Sequence, residues 1–177
     1  MLKEQIILLV ILIAGIAIFV FDKEHINEKK ARTGEDLAKV RAVLSRLLPD
    51  STSYTTAYAF YKWSKYQGRS KKTWYYHYAI AFRPGELFVV PIQYAGGEIS
   101  AQSRGVLLTP ENVGRVESDG AGPVIFGKDG QEICHFRVLA MYTRQDRFEP
   151  FNIAQGEESK AFDAFLTDFT RQVQSQG

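Results

Sequence analysis

An uninterrupted apolar run near the N-terminus limits what this chain can fold into more than any other feature. The sixteen residues from Ile6 to Phe21 include no charged or amide side chain, and thirteen of them are Ile, Leu, Val or Phe. Each such residue favours membrane insertion by roughly 0.3 to 0.6 kcal/mol near a helix centre, and no charge opposes them. The run therefore predicts an uncleaved transmembrane helix, with residues 1–21 as the anchor.

The apolar run is short for a transmembrane span. A helix of this length rises about 24 Å, against roughly 30 Å of hydrocarbon, so Leu2 is expected to join the span while Lys3 reaches the headgroups. The alternative is a secretory signal cleaved at Gly15-Ile16-Ala17, which would release a secreted domain. Cleavage there would leave the apolar segment from Ile18 to Phe21 at a new terminus, which favours the uncleaved anchor.

Basic residues are distributed unevenly around the predicted anchor. The N-terminal side has Lys3 alone, whereas the following twenty residues hold six: Lys23, Lys29, Lys30, Arg32, Lys39 and Arg41. Because basic flanks remain in the cytoplasm, we expect a single-pass protein of the cell membrane whose C-terminal domain faces the cytoplasm. The lone Cys134 cannot form an internal disulfide, which agrees with a reducing compartment.

The part of the chain after the anchor has about 155 residues, enough for one domain with a substantial core. Its charges are segregated, since Ser51 to Gly85 holds six basic residues and no acidic one. From Glu86 to Gly177 there are thirteen acidic residues and eight basic ones. The domain is therefore expected to carry a charge dipole.

Residues 22–50 are predicted to form a polar juxtamembrane connector followed by an amphipathic helix. Thr33 and Asp36 approximate a capping box, and Pro49 ends the pattern. The apolar positions keep a helical spacing: Leu37, Val40, Val43, Leu44, Leu47 and Leu48. Two alternatives follow for this apolar stripe: it packs on the core of the domain, or it mediates association with another protein.

From Ser51 onward the apolar residues occupy alternate positions. The even-numbered residues from Thr73 to Phe82 predict a half-buried strand, which a turn at Arg83-Pro84-Gly85-Glu86 joins to a partner over Leu87 to Tyr94. Pro91 in that partner predicts an edge strand or a bulge. Further strands are predicted over Tyr54 to Tyr66, Ser100 to Thr109, Val113 to Glu117, Val124 to Phe126 and Glu132 to Tyr142, with a turn at Lys128-Asp129-Gly130.

The chain closes with a second amphipathic helix. Glu157 and Glu158 suit its N-terminus, and its apolar stripe comprises Phe162, Phe165, Leu166, Phe169 and Val173. The predicted fold is therefore α+β: a transmembrane helix, then over residues 51–177 a mostly antiparallel β sandwich or barrel of about seven strands that the C-terminal helix caps.

This order of elements resembles the pleckstrin-homology-like superfold, in particular bacterial members that have membrane anchors. The resemblance rests on the C-terminal part of the domain. There a predicted hairpin over Val124 to Ile133 is followed by Phe151-Asn152-Ile153 and the C-terminal helix. In members that bind phosphoinositides, basic residues around the first hairpin hold the headgroup phosphates. The resemblance therefore implies a binding module.

The corresponding segment of this chain is a predicted basic loop over residues 62–72. Its candidate lipid-binding residues are Lys62, Trp63, Lys65, Arg69, Lys71, Lys72 and Trp74. Each cation near an anionic bilayer contributes about 1 kcal/mol, so we expect anionic lipid headgroups to be a partner of this loop. The alternative is a solvated hairpin tip whose aromatic residues pack on the end of the sheet.

No catalytic, cofactor or metal signature is present, so the sequence predicts a non-enzymatic module without a cofactor. We interpret Cys134 as a small core residue. His135 is expected to point to the opposite face of the same strand, so the two do not form a metal site. Nucleic acid is not expected, since the aromatic residues from Thr73 to Phe82 mostly share the core-facing parity. A protein–protein interaction module that uses a sheet edge or the helix at residues 37–48 is the alternative function.

Overall fold

The computed structural model describes residues 34–144 and 151–176. Within them, helix α1 (residues 34–47) precedes ten strands, and helix α2 (Gly156–Gln176) follows the last strand. The strands are β1 (Thr55–Gln67), β2 (Ser70–Arg83), β3 (Glu86–Ala95), β4 (Glu98–Ala101), β5 (Val106–Leu108), β6 (Val113–Asp119), β7 (Gly122–Gly127), β8 (Glu132–His135), β9 (Met141–Arg144) and β10 (Phe151–Ala154).

These strands form three antiparallel sheets. The central sheet has the order β1-β2-β3-β4, with β5 paired to β3 beside β4. A second sheet has the order β6-β7-β8, and β9 pairs with β10 in a third. The α+β class, the antiparallel pairing and the C-terminal helix predicted from the sequence are thus confirmed.

The predicted anchor from Ile6 to Phe21 lies outside the residues that the structure describes. Across residues 34–144 and 151–176, no helix combines the length and the apolar character that a transmembrane span requires.

The central sheet is buried on both faces, which corrects the prediction of a half-buried strand. All four residues from Ala79 to Phe82 in β2 are buried. Ile80 and Phe82 belong to one apolar cluster, whereas Ala79 and Ala81 belong to another on the opposite face. The small odd-numbered side chains therefore line a second core, because Ala allows close approach of the layer above it.

The first cluster lies between the central sheet, the β6-β7-β8 sheet and α2. Its members from α2 are Phe162, Phe169 and Val173, which confirms the predicted stripe on the C-terminal helix. Phe165 and Leu166 are only half-buried at the margin of this cluster. Cys134 and Ile125 are buried in the same cluster, so the β6-β7-β8 sheet closes this face of the domain.

The second cluster lies on the opposite face and includes α1. The helix contributes Leu37, Val40, Val43 and Leu44, packed with side chains from β1, β3 and β10. Of the two alternatives for this apolar stripe, packing on the core of the domain is therefore correct. Asp36 is buried and accepts a hydrogen bond from Asn152 N at 3.0 Å, so its carboxylate joins α1 to β10.

Two predicted strands are divided in the structure. The segment from Ser100 to Thr109 forms β4 and β5, separated near Gly105, whose φ of +78° and contact with β3 leave no room for a side chain. Pro91 lies in an interior strand and not at an edge, at the gap between the β4 and β5 pairings. Gln102 N donates to Pro91 O at 2.8 Å, and the pairing with β4 ends there because proline has no N–H to donate in return. Likewise, residues 136–140 separate β8 from β9.

Candidate functional site

The first hairpin projects beyond the sheet as a two-stranded arm. β1 and β2 stay paired from Thr55 and Phe82 to the tip at Gln67 and Ser70. β3, however, pairs with β2 only as far as His77. Residues 61–76, here called the hairpin arm, therefore lie beyond the last β2–β3 pair, while β3 itself continues to Ala95 in its pairing with β4. With seven residues in each strand and about 3.3 Å per residue, the arm is roughly 23 Å long.

The structure corrects the predicted basic loop, because nearly all of residues 62–72 belong to strands. Only Gly68 and Arg69 form the turn between β1 and β2. Gly68 has a φ of +60°, and Arg69 has a negative φ. A glycine with positive φ at the first central position is typical of the type II′ turns that suit the twist of a two-residue hairpin. Four of the five cations thus lie in the paired strands, and Arg69 lies in the turn.

The register divides the predicted site residues between two faces. One face is continuous with the first apolar cluster and carries a cross-strand pair of indoles, Trp63 and Trp74, with ring centroids 4.5 Å apart. Lys65 and Lys72 are the next pair toward the tip. The ammonium of Lys72 lies 4.9 Å from the Trp74 ring, so a cation–π contact joins the two pairs.

The opposite face of the arm alternates cations with tyrosines. Lys62 lies across from Tyr75, with its ammonium 5.6 Å from the ring, and Lys71 lies across from Tyr66 at 5.7 Å. Between these pairs Ser64 and Thr73 share a hydrogen bond of 2.9 Å. The seven predicted residues therefore surround the tip and do not converge on one side of it.

The arm presents apolar and basic surface together. Trp63 is 40% exposed, Tyr66 69%, Tyr75 54% and Tyr76 45%. No acidic residue lies between Ser51 and Gly85. No carboxylate in the described ranges pairs with any arm cation: Lys62, Lys65, Arg69, Lys71 and Lys72. Within the part of the chain that the structure describes, no ion pair neutralises the positive charge of the arm, which is therefore available to an anionic partner.

Sequence reasoning did not assign the exposed tyrosines Tyr75 and Tyr76 to the site. A hairpin register centred on the Gly68-Arg69 turn would have revealed Tyr75, since it places Tyr75 opposite Lys62. The missing information was the length of the paired segment, which depends on where β3 departs from β2.

The base of the arm is held by the β6-β7-β8 sheet. The ring of Tyr61 stacks on His135, with centroids 3.8 Å apart. His135 is buried, and its Nε2 lies 3.2 Å from Asp119 Oδ1. The backbone N–H of Ala121 lowers the pKa of Asp119, and His135 contributes to the same shift. These contacts fix the direction in which the arm leaves the domain.

Helix α1 begins at the same end of the sheet as the arm. β3 runs toward the arm tip, so the turn after Ala95 lies at the arm end. Lys39 near the start of α1 donates a hydrogen bond to Gly97 O in that turn at 2.7 Å. Asp50, shortly after α1, pairs with Arg83 at the opposite end of β2. The first residues of α1 therefore lie at the end of the domain from which the arm projects.

A scan against protein-family models, a search of curated proteins and a search of solved structures gave no significant match to this chain.

Proposed function

We propose that this protein is a non-enzymatic binding module at a membrane surface, and that its hairpin arm contacts anionic lipid headgroups. In this proposal residues 6–21 span the cell membrane once, and the domain faces the cytoplasm. The observation that carries the proposal is the shared position of the arm and the start of α1, which the contact between Lys39 and Gly97 defines. An anchor that precedes α1 would bring the arm end of the domain toward the bilayer.

The connector is long enough for the arm to meet the bilayer. Residues 22–33 separate the predicted span from α1. Fully extended, these residues cover about 40 Å, which exceeds the roughly 23 Å of the arm. The tip can therefore reach the headgroup region without strain on the tether.

The chemistry of the arm suits an interface between water and hydrocarbon. Tyrosine and tryptophan favour the headgroup level because their rings are apolar at one end and polar at the other. Five cations, each contributing about 1 kcal/mol near an anionic surface, would add several kcal/mol to a domain that is already tethered. A pleckstrin-homology-like fold is part of the proposal; antiparallel strands that end in a single C-terminal helix support it.

Vesicle sedimentation of the fragment from Thr33 onward tests the lipid contact, because the intact anchor would hold every variant on the membrane. Both apolar clusters lie within the described residues, so this fragment retains the whole core. Replacing Lys65, Arg69, Lys71 and Lys72 by Gln should reduce partitioning onto anionic vesicles by roughly 4 kcal/mol, nearly a thousandfold. Binding of the unaltered fragment should weaken as salt shortens the Debye length.

The matched control replaces four exposed cations elsewhere, and it should bind as the unaltered fragment does: Arg104, Lys128, Lys160 and Arg171 to Gln. Equal partitioning of the two quadruple variants, or no binding at low salt, would dispose of the lipid contact. An acidic protein would then be the better partner, and the arm variant should lose that protein in a pull-down.

Reporter fusions test the proposed topology separately. A C-terminal reporter on the full chain should be active in the cytoplasm. A released protein that begins near Ile18 would exclude the anchor.

A further inference from the structure

One backbone edge of β2 is open within the hairpin arm. Phe60 N donates to Arg137 O at 3.1 Å and Arg137 N donates to Phe60 O at 2.9 Å, so the Phe60 backbone faces away from β2. Its register partner His77 must then direct its own backbone groups away from β1, toward Ile92 of β3. Backbone direction repeats every second residue, which fixes the direction for the rest of the strand.

By this alternation the backbone N–H and C=O groups of Lys71, Thr73 and Tyr75 point away from β1, to the side of β2 on which β3 pairs. Among residues 34–144 and 151–176, no strand pairs with β2 on that side beyond His77. We call the backbone of residues 71–75 on this side the β2 edge.

The other edge of the arm, on β1, is occupied at its base. Arg137 pairs there with the backbone of Phe60, and His135 stacks on the neighbouring Tyr61. The β2 edge is also richer in residues that favour strands, since Thr73, Trp74 and Tyr75 are β-branched or aromatic. An open edge with such a sequence is a template for a further strand.

We propose that the β2 edge pairs with the same edge of a second copy of this chain, antiparallel and with its two-fold axis at Thr73. In this register Thr73 lies opposite Thr73 of the partner copy, and Lys71 lies opposite Tyr75 of the partner copy. Lys72 lies opposite Trp74 of the partner copy. Both lysines of the β2 edge thus face an aromatic ring of the partner copy, as Lys62 and Lys72 already lie near rings within the arm.

Neighbouring registers are excluded by charge or by space. A two-fold axis at Lys72 or Lys71 places lysine directly opposite lysine, which is destabilising across paired strands. An axis at Trp74 places Lys71 of the partner copy opposite His77, and an axis at Tyr75 places Thr73 of the partner copy there, where β3 already pairs with β2. An axis at Thr73 keeps every strand residue of the partner arm on the arm side of His77, and only its turn residue Arg69 reaches that level.

The pairing goes beyond the proposed lipid contact and does not depend on it. It would form about six backbone hydrogen bonds between the two copies, because each of three facing pairs exchanges two. The side chains remain on the two faces of the arm, so the joined arms form one four-stranded sheet whose faces still present indoles, tyrosines and lysines.

Two proline variants of the full chain in detergent micelles test the pairing. Thr73→Pro removes an N–H that points away from β1. The hydrogen bonds between β1 and β2 are therefore kept, whereas the β2 edge loses a donor at the centre of the proposed pairing. Ser64→Pro is the matched control on the β1 edge, because both changes abolish the same Ser64–Thr73 hydrogen bond. We expect Thr73→Pro to lower the dimer fraction, measured by sedimentation, about tenfold or more relative to Ser64→Pro.

Cysteine cross-linking tests the register. Under oxidation Thr73→Cys should form a covalent dimer, whereas Lys71→Cys and Tyr75→Cys should each fail alone and cross-link when mixed. The native Cys134 does not interfere, because burial raises its pKa to about 12. Equal dimer fractions for the two proline variants, or cross-linking of Ser64→Cys as efficient as that of Thr73→Cys, would overturn the proposal.

Discussion

The side-chain amide of Gln155 takes the place of a neighbouring strand beside Tyr58. Gln155 Oε1 accepts a hydrogen bond from Tyr58 N at 2.8 Å, and Gln155 Nε2 donates to Tyr58 O at 2.7 Å. Nε2 also donates to Leu139 O at 2.9 Å. A backbone partner would pair with Tyr58 in the same two-bond pattern, so one buried side chain closes the outer edge of β1 just before α2 begins.

Replacing Gln155 by Ala should therefore destabilise the domain strongly. The change removes two buried hydrogen bonds to the backbone of Tyr58 and a third to Leu139 O. Loss of the partner of a buried polar group costs about 1 to 3 kcal/mol, which predicts a total loss of roughly 3 kcal/mol or more. Chemical unfolding of the fragment from Thr33 measures it. Gln174→Ala, an exposed change on α2, is the control and should have little effect. If Gln155→Ala and Gln174→Ala had the same free energy of unfolding, water would be replacing the hydrogen bonds of the Gln155 amide.

Stability should decline in acid partly through Glu86. Hydrogen bonds from Arg83, at 3.0 Å and 3.1 Å, and from the hydroxyl of Tyr54 lower the pKa of Glu86 below its ordinary value of 4.5. A lowered pKa in the folded state contributes stability above pH 4.5 that is lost as the pH falls through the folded-state value.

Glu86→Gln should consequently lower stability at neutral pH and flatten its decline below pH 4.5. Urea unfolding at a series of pH values measures both effects. Glu98→Gln, at an exposed carboxylate on β4, is the control for the loss of one negative charge. A Glu86→Gln profile parallel to that of the unaltered protein would refute the role of this carboxylate.

The thiol of Cys134 should be unreactive in the native protein. It is buried opposite Ile125, and burial, with a smaller effect from Glu132, raises its pKa to about 12. Near neutral pH almost none is thiolate, which is the reactive form. A thiol reagent should modify the folded chain far more slowly than the chain in denaturant, as followed by absorbance; comparable rates would place the thiol at the surface.

The phenylalanines of the α2 stripe should contribute unequally to the stability of the domain. Phe162 is buried against Phe82 and Phe136, so Phe162→Ala should cost about 3 to 5 kcal/mol. Phe165 is half-buried and lines an open groove of about 520 Å³ between α2 and the turn at Pro84 and Gly85. Phe165→Ala should therefore cost roughly 1 to 2 kcal/mol. Thermal unfolding compares the two, and a larger loss for Phe165→Ala would contradict this order.

Local sequence patterns predicted the hairpins and helices because their causes are local. The turns at Gly85 and Gly130 occur where glycine has positive φ. The stripe on α2 follows from helical spacing alone. By contrast, the divided strands around Gly105 could not be read from the sequence, because the break arises from close contact with β3, a segment distant in the chain.

The candidate site shows the same division. The sequence by itself determined that one hairpin would collect basic and aromatic residues without an acidic neighbour. Only the tertiary structure decided that this hairpin is a projecting arm, because its exposure depends on β3 leaving β2 at His77. Tertiary structure also placed the start of α1 at the arm end, through Lys39 and Gly97. Pairing between distant segments depends on which backbone groups remain available after the whole chain has packed, and no local pattern records that.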